Sequence, residues 1–293
     1  MLDLMKKMNG VPCSCGKVHT FDADIYSGAG AIKNLAPSLK KLGTKKAFVL
    51  ADKNTYAVGG EAVCGILSGE GVSFTKFIYP ESPKPDEKGL GDAVIHCPTD
   101  ADTVIAIGSG VINDIAKMLT AVGNKKYIII ATAPSMDGYA STSSSMCREG
   151  LKVTIASKSA DVIIGDSDIL KTAPKKMMVS GLGDMLAKYV SICEWRLSNL
   201  ITGEYYCEQI AELTRIALKN CIKASETILS KSDDAVEALF DGLTIGSVAM
   251  NYAGLSRPAS GAEHYISHII DMRSEEFGTP AELHGLLLGY FHM

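Results

Sequence analysis

Thr103-Val104-Ile105-Ala106-Ile107-Gly108-Ser109-Gly110-Val111-Ile112-Asn113-Asp114-Ile115-Ala116-Lys117 is the stretch that decides the fold. Five residues rich in β-branched apolar side chains predict a strand buried on both faces. The glycine turn that follows ends the strand, and apolar residues at helical spacing then predict a helix over 111–122. A strand, a tight turn and a helix start place unpaired backbone N–H groups and the positive end of a helix dipole at one spot, suited to a phosphate. The turn is an incomplete dinucleotide fingerprint, because Asn113 stands where a third glycine would be, and it lacks a Walker lysine. An ordinary tight turn accounts for it equally well.

Outward from this unit the pattern repeats. Strands are expected at 47–50, 74–79, 103–107 and 127–130, with helices at 31–42, 60–68, 90–96 and 111–122. Segments 153–156 and 162–164 add strand-like material, and Ser143-Ser144-Ser145 lies between predicted strands. Strands alternating with helices predict a parallel sheet covered on both faces. From Lys175 onward the reading is almost entirely helical, over 176–199, 204–229, 235–252 and 262–272, with Pro174 and Pro258 near helix entries. The expectation is an α/β Rossmann-like domain over residues 1–170 followed by an all-α helical domain over 171–293.

The totals fit this class. The chain has 293 residues, 46% hydrophobic and 21% charged, with a net charge of −4, which is ordinary for a globular protein and argues against a nucleic-acid partner. No apolar run reaches the length of a membrane span and no apolar core of a signal peptide follows Met1, so a cytoplasmic protein with reduced thiols is expected. The eight cysteines are scattered. Cys13-Ser14-Cys15-Gly16 with His19 offers three metal ligands, but a structural zinc needs four and no second pair with similar spacing is evident. The expectation there is an N-terminal turn.

Two further strand ends are polar. Asp52 closes the strand at 47–50 and could accept hydrogen bonds from ribose hydroxyls or cap the next helix. Ala131-Thr132-Ala133-Pro134-Ser135-Met136-Asp137-Gly138-Tyr139 follows another strong strand and carries hydroxyls and an acid. In open α/β sheets ligands sit at the carboxyl ends of the strands, so three polar loops at three such ends predict one nucleotide crevice.

Three separated patches carry the other chemistry: Gly181-Leu182-Gly183-Asp184, Gly261-Ala262-Glu263-His264-Tyr265-Ile266-Ser267-His268 and Leu283-His284-Gly285. Three of the six histidines fall within residues 264–284. Buried Asp and His are costly unless paired or ligated. His264 and His268 are one helical turn apart and share a face. A carboxylate and two imidazoles suit Zn²⁺, Fe²⁺ or Ni²⁺ with a coordination position left open for chemistry.

Gly108–Lys117, Ala-Pro-Ser-Met-Asp-Gly-Tyr-Ala-Ser at 133–141, Ser-Gly-Leu-Gly-Asp at 180–184 and Ser-Arg-Pro-Ala-Ser-Gly-Ala-Glu-His at 256–264 together resemble the sn-glycerol-1-phosphate dehydrogenases. These belong to the dehydroquinate synthase-like group that includes iron-type alcohol dehydrogenases and glycerol dehydrogenase. The resemblance runs the length of the chain; the patches at 137–141 and 257–264 are its most specific parts. It implies a reversible reduction of dihydroxyacetone phosphate to sn-glycerol 1-phosphate, with NAD or NADP and one divalent metal, zinc ahead of nickel or iron. By position, Asp184, His264 and His284 would ligate the metal. Asp137 and His268 would act on the substrate, with Asp184 beside it. Asp52, Gly108, Ser109, Gly110, Val111, Ile112, Asn113, Asp114, Thr132, Ala133, Pro134, Ser135 and Ser141 would hold the cofactor. Ser256, Arg257 and Ser260 are candidates for the substrate phosphate, although Arg257 could equally cap a helix or pair with Glu263. A homo-oligomer is compatible with this reading.

The resemblance also implies more helices beyond Leu283-His284-Gly285, whereas this chain ends at Met293. The expectation is that apolar helix faces lack their cover and that the 293-residue chain is poorly active. An NAD-dependent glycerol dehydrogenase of the same fold, or an inactive nucleotide-binding fragment, are the alternatives.

Overall fold

A computed structural model describes residues 2–279 and 282–290; the chain ends at residues 1 and 293, where the expected domain limits fall, lie outside them. The chain packs as two units. One comprises Ala23–Ala133 and Thr142–Ala173, the other Met1–Asp22, Pro134–Ser141 and Pro174–Met293. The sheet-bearing unit ends at Ala173 and the long helical stretch begins at Pro174. The N-terminal segment and Pro134–Ser141, expected in the α/β domain, pack instead with the helices, because contacts across the sequence, not chain order, decide membership.

Helix α1 (Leu2–Met8) opens the chain, followed by β1 (Asp24–Gly28), a 3-10 turn at Ala31–Asn34, α2 (Leu35–Leu42), β2 (Lys46–Asp52), α3 (Lys53–Gly69), β3 (Ser73–Tyr79), α4 (Glu87–His96), β4 (Thr103–Gly108), α5 (Gly110–Gly123) and β5 (Lys126–Ala131). Next come β6 (Ser143–Arg148), β7 (Leu151–Ala156), β8 (Val162–Asp166) and the short α6 (Ser167–Leu170). The remainder is helical: α7 (Lys175–Thr202), α8 (Glu208–Ile228), α9 (Asp233–Ala253), α10 (Ala262–Phe277) and α11 (His284–Tyr290).

The α/β unit is built on a six-stranded, all-parallel sheet in the order β1-β8-β5-β4-β2-β3. Every residue of β4 is buried, as expected of a strand covered on both faces. Val49, Ile105, Ile107, Ile128, Ile130 and Ile164 form the core with Leu35, Leu39, Val63 and Leu67 from the helices. Each such side chain contributes roughly 1.5–3 kcal/mol on burial. The chain runs from β2 outward to β3, then returns to the other side of β2 as β4 and continues away through β5. The direction of winding therefore reverses between β2 and β4, where open sheets of this kind bind ligands.

Segment 153–156, read as strand-like, is strand in β7 and pairs antiparallel with β6 in a hairpin, Ser145 opposite Thr154. Ser143-Ser144-Ser145 is itself strand, alternately half-buried and buried; its serines hid the alternation that a hydrophobic pattern would have displayed. The edge strand β1 also went unread, its five residues DIYSG including only one that is fully buried.

In the helical unit α8 packs on α9 and α11 packs on α7. α10 leaves Tyr265, Ile266 and Ile269 exposed. No helix among the described residues is long and apolar enough to cross a membrane.

Candidate functional site

Register in the α/β unit brings the predicted polar strand ends level. Ala51 pairs with Ile107 and Gly108 with Ala131, so Asp52, Gly108 and Thr132 emerge at the same edge of the sheet, at its switch point. The turn is tight: a Cβ on Gly108 would lie 2.5 Å from Ile112 Cβ. Ser109 is the N-cap of α5, and helix geometry leaves the amides of Gly110, Val111 and Ile112 without an intrahelical acceptor. The backbone is what the turn offers to a phosphate. The side chains of Ile112 and Asn113 are buried, and Asn113 Oδ1 accepts a hydrogen bond from the Tyr127 hydroxyl at 2.8 Å. Asp114 pairs with the buried Lys117 ammonium at 2.8 Å. The side chains of Asn113 and Asp114 thus engage protein groups beside the turn.

Asp52 caps α3. Its Oδ1 accepts from the amides of Asn54 and Thr55 at 2.8 and 2.9 Å, while the Ser82 hydroxyl reaches its other oxygen at 3.5 Å. The capping alternative is therefore realised, and one carboxylate oxygen is committed to it. Thr132 and Ala133 lie in the α/β unit; Pro134, Ser135 and Ser141 belong to the helical unit. There Ser135 O accepts from the Ser180 hydroxyl at 3.0 Å, and the Ser141 hydroxyl donates to Gly138 O at 3.2 Å.

In the helical unit, glycine lets two of the candidate patches, 181–184 and 283–285, meet. A Cβ on Gly183 would come within 2.1 Å of Gly285 O, and one on Gly285 within 1.8 Å of Ser180 O. Only bare backbone lets α7 and α11 approach this closely, which places Asp184 and His284 on facing helices. His264 and His284 have ring centroids 5.1 Å apart, and His268 and His284 5.9 Å apart.

Both expected imidazole ligands are held at Nδ1. His264 Nδ1 bonds Glu263 Oε1 at 2.7 Å, and His284 Nδ1 lies 3.2 Å from Ser267 Oγ. Such contacts fix ring orientation. Glu263 Oε1 also accepts from the Gly261 amide at 2.9 Å, whereas its Oε2 is buried with no hydrogen-bond partner. Burial works against the ionised form of Glu263, yet the His264 and Gly261 bonds hold its carboxyl below the usual range.

Asp184 is fully buried. Its Oδ2 accepts from the Asp137 amide at 3.0 Å and its Oδ1 from the Lys188 ammonium at 2.6 Å. Lys188 also donates to Asp137 Oδ2 at 2.5 Å. Burial opposes ionisation of Asp184, but the neighbouring charges of Lys188, His284 and His264 outweigh it and lower its pKa. Burial, then the charge of Asp184, raises that of Asp137. Burial also disfavours charged Lys188, but the two aspartates prevail and hold it protonated. Sequence inspection missed Lys188, although its position one helical turn after Asp184 was a readable signal.

A buried carboxylate and two imidazoles held at Nδ1 are donor types that suit a divalent cation, but among the described residues the ligand atoms that draw together within 4.8 Å of one another are those of Cys13, Cys15, His19 and Cys207, not those of Asp184, His264 and His284. Arg257 bonds Glu204 Oε1 at 3.0 Å, so its partner is neither a helix end nor the expected Glu263.

The chain matches the family model described as iron-containing alcohol dehydrogenase over residues 26–174. It is 33% identical over 287 residues to the glycerol-1-phosphate dehydrogenase [NAD(P)+] of Halalkalibacterium halodurans, covering 96% of this chain and 72% of that protein. It is 34% identical over 298 residues to the enzyme of that name from Bacillus licheniformis, covering 99% and 73%. Among solved structures it superposes on glycerol dehydrogenase from Schizosaccharomyces pombe with a TM-score of 0.74 at 24% identity, over 94% of this chain and 70% of that one. NADH-dependent butanol dehydrogenase A from Thermotoga maritima gives 0.73 at 20% identity, over 93% and 71%. These two likenesses are of fold.

Proposed function

Since the chain belongs to the iron-containing alcohol dehydrogenase family, with glycerol-1-phosphate dehydrogenases among its relatives, we propose that it transfers hydride reversibly between NAD(P)H and dihydroxyacetone phosphate, forming sn-glycerol 1-phosphate. The observation that carries the chemistry is the buried Asp184, bonded to Lys188 and the Asp137 amide, on a helix facing the one that bears His284.

In this reading the amides of Gly110 to Ile112 and the α5 dipole hold the cofactor pyrophosphate. Asp52 keeps one oxygen for a ribose hydroxyl, and Thr132, Ala133, Pro134, Ser135 and Ser141 contribute the remaining cofactor contacts. Asp184, His264 and His284 hold a divalent metal, which when bound supplies Lewis-acid polarisation of the substrate's C2 oxygen. Lys188 keeps Asp184 and Asp137 from repelling one another. Asp137, tethered at one oxygen by Lys188, and His268 orient the reacting hydroxyl, and His268 exchanges its proton. The phosphate needs a cationic or hydroxyl-rich contact; Ser256 and Ser260 are the nearest candidates in sequence to Arg257, which is already paired with Glu204.

Gly110→Val should place a branched side chain where the backbone must meet the pyrophosphate. Calorimetric titration should show NAD(P)H affinity lowered ~10-fold or more, about 1.4 kcal/mol, with the circular dichroism spectrum retained. Unchanged affinity removes this turn from the cofactor site.

Substrate choice tests the reading as a whole. NAD(P)H consumption should be much faster with dihydroxyacetone phosphate than with dihydroxyacetone, since remote phosphate binding lowers the barrier at C2. Chiral analysis should find the sn-1 product. Formation of sn-glycerol 3-phosphate, or a preference for unphosphorylated glycerol, rejects the substrate assignment and favours a glycerol dehydrogenase.

A further inference from the structure

The N-terminal turn read from Cys13-Ser14-Cys15-Gly16 exists, but it is not isolated. Cys207, at the N-cap of α8, completes a set of four donors with Cys13, Cys15 and His19 whose ligand atoms all lie within 4.8 Å of one another. The fourth ligand was invisible in the sequence because it is a lone cysteine 194 residues from Cys13, not half of a second pair.

The geometry points to a second, structural metal site: Cys13, Cys15, His19 and Cys207 bind one zinc ion tetrahedrally and tie the N-terminal segment to the start of α8. Cys13 Sγ lies 3.5 Å from Cys207 Sγ, Cys15 Sγ 3.4 Å from His19 Nε2, and Cys207 Sγ 3.6 Å from the same nitrogen. With metal–sulfur bonds of about 2.3 Å and metal–nitrogen bonds of about 2.0–2.1 Å, a tetrahedron has edges of about 3.5–3.8 Å. The observed separations match those edges. The sulfur pair is too far apart for a disulfide, whose bond is about 2.05 Å, and all eight cysteines are free.

The surroundings are those of a ligand shell. The chain reverses tightly at the two first cysteines, with the Gly16 amide donating to Cys13 O and the Cys13 amide to Lys17 O, both at 2.9 Å. Gly16 has φ 85°, a conformation that favours glycine. Pro12 and Val18 pair across the turn, and the Cys15 amide points at Cys13 Sγ from 3.5 Å. His19 Nδ1 lies 2.9 Å from Tyr252 O; a carbonyl can only accept, so Nδ1 carries the proton and Nε2 presents its lone pair to the sulfurs. The Tyr205 hydroxyl lies 3.3 Å from Cys15 Sγ. Cys207 is fully buried and His19 nearly so, leaving a closed site of the structural kind, in contrast to an Asp-His-His set with an open position. On binding, each ligating thiol gives its proton to solvent and no redox change is involved. Three thiolates and an imidazole in a tetrahedral array select zinc over harder cations.

The test uses the full chain, metal-depleted and then loaded with Co²⁺ alone. Thiolate-to-cobalt charge transfer in the near ultraviolet, with intense tetrahedral d–d bands, is expected in the wild type. The signal should persist in His264→Ala/His284→Ala and vanish in Cys207→Ser. In the protein as purified, elemental analysis should find one zinc that remains in the histidine double variant. Should Cys207→Ser not fold, alkylation of the native wild type mapped by peptide mass spectrometry decides: Cys13, Cys15 and Cys207 should resist modification until a chelator is added, while the exposed Cys193 reacts at once. A wild type without the charge-transfer band, chelator-independent alkylation of these cysteines, or a Cys13–Cys207 disulfide found in a denatured thiol count would each overturn the proposal.

Discussion

His264→Ala should lose one equivalent of divalent metal and cut turnover by about a thousandfold or more, roughly 4 kcal/mol of barrier. Asp184→Asn and His284→Ala should behave alike. The residues provide three donors, and removing one leaves too few to hold an ion while a position stays open to substrate. Glu263 loses the ring it orients in His264→Ala, and Ser267 loses its ring in His284→Ala. His268→Ala should keep the metal and still lose turnover, because its ring belongs to the substrate in this reading. Elemental analysis and steady-state rates on the same samples check this. The thiolate-bound zinc serves as an internal standard, since it should be present in every variant. Full metal content in all three ligand variants would discard the ligand assignment, and metal loss in His268→Ala would make His268 a metal ligand.

Lys188→Met should destabilise the metal-free protein by about 3–5 kcal/mol, the cost of leaving a buried carboxylate without its counter-charge. Lys188 and Asp184 are both fully buried, and Asp137 adds a second negative charge to the same ammonium. The loss should shrink when divalent metal is bound, because the ion compensates Asp184 in place of the ammonium. Asp184→Asn should likewise rescue Lys188→Met in part, as members of one charge network are not additive. Urea unfolding followed by Trp195 fluorescence is a suitable measurement: Trp195 is the chain's single tryptophan and lies buried on α7, the helix that carries both Asp184 and Lys188. A loss below about 1 kcal/mol, or one that metal does not change, would show that the ammonium is not the counter-charge on which the cluster depends.

The α/β unit was largely legible because its signal is local. β4, its glycine turn and α5 follow from a continuous apolar run, a tight turn and a helical period, all within one short stretch. The strands that failed to announce themselves, β1 and β6, are those whose buried positions are few or filled by serine. The functional residues divide in the same way. Asp184, His264 and His284 stood out as polar groups in apolar helices, where a buried charge demands a partner. Asp52 and Asn113 were equally visible, but a carboxylate at a strand end serves a cap as readily as a ribose, and an amide beside a turn can face inward. Arg257 offered several partners and took Glu204.

By itself the sequence determined the alternation of strand and helix, the turn that opens α5, and the residue types able to hold phosphate and metal, since periodicity, glycine placement and buried charge act over a few residues. Tertiary structure alone decided the pairings. The strand register that levels Asp52 with Gly108, the glycine-lined crossing that brings α11 to α7, the Lys188 ammonium shared by two aspartates, and Cys207 closing on Cys13, Cys15 and His19 are all contacts between residues distant in the chain. Their energies depend on distance and burial, which no local pattern encodes.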